Sequence, residues 1–369
     1  MIKVLGVMRD DGACMLYRIK QPLSKLQDKG LADVSIAGFG SKVDFDSAVL
    51  EADIIHIPRV NCYTMKKLIE TVQPLGKKII IDQDDDIFNV NPLSEWYRDY
   101  GIEEIEIDGV KLWKDGNTSE PRSIDIEKNI EKREVARECM RMADSITVTT
   151  EELAKVYQPY NDNIKVLPNC IDFKTWMYRS INKDEKITIG WQGGDSHYQD
   201  LMMIKSPLVK VLNKYKDKVK FIMCGAKFDG FLKDIPNTEH YPWESIYAHP
   251  YRMSLLGFDI GIIPIKHDEF NKGKSAIKFH EYSALSTATL ASNYLPYSEV
   301  IKDGMNGYLF KDEKEFEEKL TELIESFSKR QVFANNAYKD TSKNYDADSE
   351  SERWFSLYES LYQENLVMV

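Results

Sequence analysis

Two segments of the sequence carry residues that can bind an anion, and the first is IGWQGGDSH (189–197). An apolar run ends there in Gly193 and Gly194, which let a backbone approach a ligand closely and permit a positive φ. A predicted helix follows, whose first amides and dipole favour an anion, and His197 lies beside them as a donor to a phosphate or a sugar. An ordinary turn between a strand and a helix explains the same pattern.

The second segment is KGKSAIKFHEY (272–282), where lysines flank a helix predicted to begin near Ser275. Lys278 and Glu281 are three residues apart and therefore share one face of that helix. Lys274 and Lys278 oppose the dipole at a helix start, and a bound phosphate would relieve that conflict. The alternative is that Lys278 and Glu281 form a surface ion pair worth less than about 1 kcal/mol.

A third segment, IDQDDDIFNV (81–90), has four aspartates within five positions. Carboxylates this dense repel one another unless a cation, a donor group or open water compensates. The segment by itself is compatible with a divalent-metal site, an acid/base site or a solvated turn.

Further polar residues follow the first predicted strands, where an open α/β sheet binds its ligands. Asp11, Gly12 and Arg18 come after the run IKVLGVM (2–8), and Arg59 comes just beyond a later strand. They are candidates to line a ligand-binding site at that edge of the sheet. The alternative for the first three is a loop followed by a solvated helix.

Short apolar runs alternate with longer mixed segments, which predicts an α/β protein with parallel sheets. We expect an N-terminal Rossmann-like domain over 1–170, a C-terminal one over 171–345, and a last helix over 346–369. Within the first domain, residues 88–122 break the alternation. EIEIDGVKLWKDG (104–116) predicts a β-hairpin that turns at Asp108-Gly109.

Composition excludes several classes of protein. The 369 residues are 43% hydrophobic and 30% charged, as in a soluble globular protein. A formal net charge of −11 argues against a surface that binds nucleic acid as a whole. Five scattered cysteines without a CxxC pair predict reduced thiols. No signal peptide and no apolar stretch of bilayer length are evident, so a cytoplasmic location is expected.

The segment 264–310 resembles the donor-binding segment of GT-B fold glycosyltransferases, in the retaining, family 4-like branch that uses nucleotide sugars. The shared pattern is Lys278, the pair Glu281-Tyr282, a small-residue turn, a strand and Asn306-Gly307. GWQGGDSHYQDL resembles the glycine loop that opens the family's C-terminal domain. The sequence departs from the pattern at Gly273, where many members have a glutamate.

The resemblance implies two Rossmann-like domains facing across a cleft, with a C-terminal helix that crosses back to the N-terminal domain. It implies that the amides of Ser275, Ala276 and Ile277 hold the diphosphate and that Glu281 binds the ribose. Lys274 and Lys278 would add positive charge for the leaving nucleotide. Tyr241 and Trp243 resemble, by position, the segment that contacts the base.

These observations predict a glycosyltransferase that moves a sugar from a nucleotide diphosphate, with a UDP-sugar favoured, to an acceptor hydroxyl with retention. The family to which the chain is similar usually works without metal, so no cofactor is expected. Asp84 and Asp85 are then expected to contact hydroxyls of the sugar or acceptor, and a metal site is the alternative. The acceptor is either a glycan or a hydroxymethylated base of phage DNA.

A protein of another class remains an alternative, namely a non-catalytic, two-lobed nucleotide- or sugar-binding protein. The lysines beside a predicted helix start favour the enzyme. The predicted catalytic residues are therefore Lys278, Glu281, Asp84 and His197. The predicted donor-binding residues are Gly193, Gly194, Lys274, Ser275, Ala276, Ile277, Tyr241 and Trp243. The predicted acceptor-binding residues are Asp11, Gly12, Arg18, Arg59 and Asp85.

Overall fold

The structure, a computed structural model, describes residues 1–38, 43–107, 109–116, 122–176 and 186–367. The chain forms two compact units. Unit 1 comprises Met1–Asn169, Gly273–Ser275 and Ala347–Val369, and unit 2 comprises Cys170–Lys272 and Ala276–Asp346.

Unit 1 is built on a six-stranded parallel sheet. The strands of unit 1, three of which (β5 to β7) form a separate small sheet, are β1 (Ile2–Val7), β2 (Ala32–Ala37), β3 (Ile54–Pro58), β4 (Lys78–Gln83), β5 (Ile105–Ile107), β6 (Val110–Asp115), β7 (Ser123–Ile124), β8 (Ser145–Val148) and β9 (Ile164–Val166). The order in the sheet is β2-β1-β3-β4-β8-β9. All six residues of β4 are buried, as expected for a β-branched run in a parallel sheet covered on both faces.

The helices of unit 1 connect these strands. They are α1 (Ala13–Met15), α2 (Gln21–Asp28), α3 (Phe45–Glu51), α4 (Tyr63–Val72), α5 (Tyr97–Tyr100), α6 (Ile126–Met142) and α7 (Glu151–Tyr157). A π-helix, Leu16–Lys20, joins α1 to α2. Pro22 therefore stands in the first turn of α2, where a missing N–H costs little. The side chains of Asp125 and Thr150 accept amide hydrogen bonds at the starts of α6 and α7.

The segment 88–122, named the excursion below, contains an antiparallel hairpin, in which Ile105 of β5 lies opposite Trp113 of β6. Strand β7 extends it by pairing in parallel with β6. Trp113 is fully buried, and its ring centroid is 5.8 Å from that of Tyr97. Asp108, part of the predicted turn, lies outside the described residues, and its neighbour Gly109 has a φ of 76°.

Unit 2 repeats the architecture. Its strands are β10 (Ile187–Gly193), β11 (Val219–Gly225), β12 (Thr238–Tyr241), β13 (Ile260–Ile263), β14 (Ala288–Ser292) and β15 (Tyr308–Phe310). They form a parallel sheet in the order β12-β11-β10-β13-β14-β15. Its helices are α8 (Tyr198–Met202), α9 (Lys205–Lys214), α10 (Asp229–Leu232), α11 (His249–Leu256), α12 (Glu269–Lys272), α13 (Ile277–Ala284), α14 (Tyr297–Val300), α15 (Glu313–Glu325) and α16 (Phe327–Asn344).

Two paired glycines in the centre of this second sheet make room for aromatic rings. Gly190 of β10 lies opposite Gly261 of β13. A Cβ on Gly190 would come within 2.2 Å of Phe258, and one on Gly261 within 2.4 Å of Tyr282. Both rings therefore pack directly on the backbone of the sheet. Because Tyr282 belongs to α13, this contact sets the height of that helix above the strands.

The last helix, α17 (Ala347–Val367), belongs to unit 1, as predicted. Trp354 and Tyr358 are buried in it. The Tyr358 hydroxyl lies 2.9 Å from His56 Nδ1 in β3, and the Arg18 guanidinium lies 5.1 Å from the centre of the Trp354 ring. Within the described ranges, none of the helices combines the length and apolar composition that crossing a bilayer requires.

His280 in α13 provides a test of the packing of unit 2. It is 2% exposed, its ring stacks on Tyr345 at 3.9 Å, and burial lowers its pKa to about 3. Because the unfolded chain binds this proton near pH 6.5 and the folded chain does not, stability is lost as pH falls from about 6.5 towards 3.

We expect His280→Phe to keep the stacking and to remove this dependence. Between pH 7 and pH 5, urea unfolding of the wild type should lose about 2 kcal/mol more than the variant does. His240→Phe, at a half-buried position, is the control. An equal loss in wild type and His280→Phe would contradict the assignment.

Candidate functional site

The two glycines of the 189–197 segment differ in their surroundings. Neither needs a positive φ, since Gly194 has a φ of −87° and Gly193 ends strand β10. A Cβ on Gly193 would lie 2.5 Å from the Trp191 ring and 3.0 Å from Lys278 Nζ. A Cβ on Gly194 would meet no described atom within 4 Å. Gly193 is thus required by close packing, and Gly194 faces open space.

Lys278 lies in the first turn of α13, with Nζ 5.5 Å from the centre of the Trp191 ring. The ammonium group is therefore held beside the end of β10. At the start of α13, no described side chain caps the helix at Ala276. The amides that follow Ala276 and the Lys278 ammonium together form a place where an anion would be stabilised.

Glu281, one turn further along α13, is buried with 6% of its surface exposed. Its carboxylate accepts a hydrogen bond from Gln192 Nε2 in β10. The next residue, Tyr282, accepts at its hydroxyl from the Gln192 backbone amide at 3.2 Å. Glu281 is therefore not a surface residue, and its carboxylate is fixed to the same strand that ends at Gly193.

His197 follows the glycines in a 3-10 helix, Asp195–His197. Its Nδ1 lies 2.6 Å from the carboxylate of Asp200, and its ring lies edge-on to Trp191 at 6.3 Å. The predicted helix of this region is broken into α8 and α9, and α8 has only five residues. Its dipole is correspondingly short, so side chains must supply most of the positive potential here.

The two candidates for base contact lie near the end of β11 and β12. Gly225 has a φ of 104°, and a Cβ there would lie 2.8 Å from the Trp243 ring. Trp243 is 45% exposed, and its ring centroid is 5.1 Å from that of His249. The Tyr241 hydroxyl donates to Glu239 at 2.7 Å. Trp243 thus has an accessible ring surface close to the backbone of Gly225.

The predicted diphosphate-binding residues are divided between the units. Ala276 and Ile277 belong to unit 2, whereas Lys274 and Ser275 belong to unit 1. Asn169 Nδ2 donates to Ser275 Oγ at 2.9 Å. The positive charge of Lys274 acts on Asp85 and lowers the pKa of that carboxyl, although burial raises it by more.

In unit 1, Arg18 forms a buried ion pair rather than lining an accessible surface. Both Arg18 and Asp82 are 1% exposed, and Arg18 Nη2 lies 2.7 Å from Asp82 Oδ2. Thr147 Oγ1 donates to the same carboxylate at 2.6 Å. Arg18 also donates to the carbonyl of Leu167 and to Asn169. The contacts of Arg18 connect the helical segment after β1 to β4 and to the residues that follow β9. Thr147 connects β8 to the same Asp82 carboxylate.

Arg59 connects the next two aspartates. Its Nη2 lies 2.6 Å from Asp85, and its Nε donates to Asp84. The guanidinium stacks on Trp96 at 4.7 Å and contacts Cys14 Sγ at 3.1 Å. Arg59 has a φ of 49°, a conformation that costs a non-glycine residue about 1 kcal/mol or more and is common at functional sites.

The pKa values of Asp84 and Asp85 are shifted in opposite directions. Burial raises the pKa of both carboxyls. For Asp84 the charge and hydrogen bond of Arg59 outweigh burial and lower its pKa, whereas for Asp85 burial prevails and its pKa is raised. Neighbouring carboxylates with separated pKa values are typical of sites that hold or move a proton.

The remaining residues of the aspartate run and of the first loop make local contacts. Asp86 accepts from the amides of Phe88 and Asn89 at 2.9 and 3.1 Å. Asp11 pairs with Lys20, and the Gly12 amide donates to Asp10 at 2.8 Å. Among the described residues, no group of three or more His, Cys, Asp or Glu side chains is arranged to hold a metal ion.

Three residues that contact candidate site residues were not predicted from the sequence: Gln192, Asp200 and Cys14. Asp200 lies three residues after His197, a helical spacing that indicates a contact. Gln192 and Cys14 contact partners far along the chain, so local spacing could not reveal them.

The contrast between the two glycines makes a prediction. Gly193→Ala forces Trp191 or Lys278 to move, and overpacking of this kind costs about 1–3 kcal/mol. Gly194→Ala should change the free energy of unfolding by less than about 0.5 kcal/mol. Urea unfolding of both variants checks this, and equal losses of stability would contradict the packing described for Gly193.

Part of unit 2 matches a known protein family. Residues 271–340 match the family described as glycosyl transferases group 1. This range contains α13 with Lys278 and Glu281. No curated protein matches the chain in sequence.

Solved structures of low sequence identity share the fold. Sucrose-phosphate synthase from Thermosynechococcus elongatus has a TM-score of 0.68 at 10% identity, covering 99% of this chain and 100% of that one. An alpha-glucosyltransferase in complex with UDP-glucose and DNA containing an abasic site has a TM-score of 0.61 at 13% identity, covering 97% and 99%. A variant of TarM from S. aureus, in complex with Fondaparinux, alpha-GlcNAc-glycerol and UDP, has a TM-score of 0.55 at 13% identity. The match covers 83% of this chain and spans only 55% of TarM.

The fold has the two Rossmann-like units of the GT-B class, and the second unit carries the matched family segment. The chain therefore has the GT-B fold, and residues 271–340 within it match the family of group 1 glycosyl transferases.

Proposed function

We propose that the chain transfers a sugar from a nucleotide diphosphate, with a UDP-sugar favoured, to an acceptor hydroxyl with retention of configuration. The observation that supports this most directly is the arrangement at the end of β10. The absence of a side chain at Gly193 lets Trp191 and Lys278 pack against the end of the strand, and Gln192 fixes Glu281 on the same helix face as Lys278. The alpha-glucosyltransferase that shares the fold is in complex with UDP-glucose.

The donor would be held by unit 2. Glycosyl transfer separates charge, with negative charge growing on the departing diphosphate. Fixed amide dipoles and cations aimed at that charge stabilise the transition state. The amides at the start of α13, Lys278 and His197 serve this role, and Glu281 binds the ribose hydroxyls. Trp243 offers its exposed ring to the base.

Unit 1 would supply contacts to hydroxyl groups. Asp84 and Asp85 present carboxylate oxygens that Arg59 holds in place, and a carboxylate accepts hydrogen bonds from hydroxyls. Asp11 and Gly12 lie on the exposed loop after β1 and would extend this side. Arg18 is buried, so we assign it the role of holding Asp82 beneath the site.

We propose that the reaction needs no metal ion, because Lys278 and His197 already supply positive charge where the diphosphate would be. The Asp82, Asp84 and Asp85 carboxylates are compensated by the guanidinium groups of Arg18 and Arg59. We also propose a cytoplasmic location, because all five cysteines are free thiols.

Of the two acceptors, the charge of the excursion favours a glycan over DNA. Residues 88–122 contain four basic and eight acidic residues, a net charge of −4. Arg98 and Arg122 both approach Glu95, and Lys111 pairs with Glu104 at 2.9 Å. A surface of this kind would repel a phosphate backbone.

The donor assignment predicts how binding responds to substitution. Isothermal titration with UDP, UDP-glucose and GDP in EDTA should show binding of UDP and UDP-glucose by the wild type. Removing a charged hydrogen-bond partner costs about 1.5–3 kcal/mol, so Lys278→Ala and Glu281→Gln should each weaken binding by about 10- to 100-fold. Lys314→Ala, an 84% exposed lysine on α15, is the control.

Two outcomes of that titration would count against the assignment. Absence of binding by the wild type would exclude a nucleotide-sugar donor of the types tested. Binding that appears only when magnesium or manganese replaces EDTA would exclude the metal-independent mechanism. A non-catalytic binding protein would bind the donor without any slow hydrolysis of UDP-glucose, which the same samples can measure.

The acceptor assignment predicts no salt-dependent binding to DNA. Gel-shift experiments at about 50 mM salt, with hydroxymethylated and unmodified duplexes, should show no complex, because phosphate contacts dominate DNA affinity at low salt. Transfer of labelled glucose to an oligosaccharide panel is the parallel measurement. A complex that weakens with salt, or transfer to the modified duplex alone, would establish DNA as the acceptor.

A further inference from the structure

Asp200 is a buried charged residue of unit 2 with partners on two sides. It is 3% exposed and lies in α8. One carboxylate oxygen lies 2.6 Å from His197 Nδ1. The other accepts the backbone amide of Lys266 at 2.7 Å. Lys266 follows β13, a different element of the sheet, so the carboxylate is fixed from two directions.

This geometry determines how the His197 ring is oriented. An ionised carboxylate only accepts hydrogen bonds, so Nδ1 must carry the proton that lies between the two groups. The Trp191 ring, whose plane is 77° from that of the imidazole, restricts rotation from the other side. The ring therefore has one orientation, with Nε2 as the nitrogen directed away from Asp200.

The same Trp191 ring borders Lys278. Its centre lies 5.5 Å from Lys278 Nζ and 6.3 Å from the His197 ring centroid. His197, Trp191 and Lys278 thus form one group at the end of β10, the strand that also presents Gly193.

We propose that Asp200 is a positioning residue for the transfer reaction. Its carboxylate accepts a hydrogen bond from Nδ1–H of His197 and stabilises the imidazolium, whose Nε2–H donates to the diphosphate of the donor. Asp200 acts only through His197. This inference rests on the proposed function, because it assumes a nucleotide diphosphate as the ligand. It goes further by assigning a residue that has no contact with the ligand.

Asp200→Asn tests this role with little change in shape. An amide has one oxygen, which the Lys266 amide requires, so its NH₂ group faces Nδ1. Nδ1 must then be unprotonated, and the ring loses its positive charge and keeps a proton at Nε2 alone. Nitrogen-15 NMR of the histidine rings should show this change for His197. UDP affinity should fall by about tenfold, whereas uridine affinity, measured by NMR titration, should stay unchanged. Asp229→Asn, an 81% exposed aspartate of the same unit, is the control.

A double-mutant cycle separates positioning from a general structural role. In a His197→Ala background, Asp200→Asn should cause no further loss of UDP affinity. Equal weakening of UDP and uridine, or a further loss in that background, would overturn the inference while leaving the proposed function intact. If the wild type binds neither ligand, the proposed function fails, and this inference fails with it.

One more variant covers the case in which Asp200→Asn does not fold. His197→Gln leaves Asp200 bonded to the Lys266 amide and removes only the ring. It should weaken UDP about tenfold and leave uridine binding unchanged. Unchanged UDP affinity in this variant would overturn the inference.

Discussion

Compensating buried carboxylates is the constraint on which both units depend. A carboxylate removed from water is strongly unfavourable unless hydrogen bonds or an opposite charge replace its hydration. Asp82 is compensated by Arg18 and Thr147, and Glu281 by Gln192. In each case the partner comes from another element, so the requirement for compensation also fixes strands and helices to one another. Because each buried carboxylate must keep its partner, it restrains the geometry of the chain at the end of the sheet where it lies.

The aspartate run shows how this constraint divides a dense cluster of like charges. Asp82 points into the core towards Arg18, whereas Asp84 and Asp85 meet Arg59. Asp86 is used by the turn that follows. The four carboxylates therefore do not converge on one point, which is what a divalent cation would need. Only the pair held by Arg59 remains next to a surface, with pKa values shifted in opposite directions.

How much could be predicted from the sequence depends on whether the signal is local. The apolar run at residues 2–8 was predicted as a strand and forms β1, and the α/β class and the returning last helix were predicted as well. The edge strand β12, in contrast, is half-buried throughout and has no such apolar run to indicate it. Arg18 was predicted to line the acceptor side. Its partner Asp82 is 64 positions away, so no local pattern in the sequence indicated the buried ion pair. The contact of Gln192 with Glu281 spans 89 positions, so residue spacing could not predict it either. His197 and Asp200, in contrast, are separated by one helical turn.

Net charge and local charge have opposite consequences for a nucleotide ligand. At a formal net charge of −11, the protein as a whole repels a diphosphate. At physiological salt this repulsion is screened beyond roughly 8 Å, the range over which Lys278 and the amides at the start of α13 act. An approaching diphosphate would therefore meet the attraction of the site only after it has come close. Under the proposed donor assignment, that attraction comes from groups beside Trp191, Gly193 and Asp200, so recognition would depend on the packing at the end of β10 more than on the overall charge of the protein.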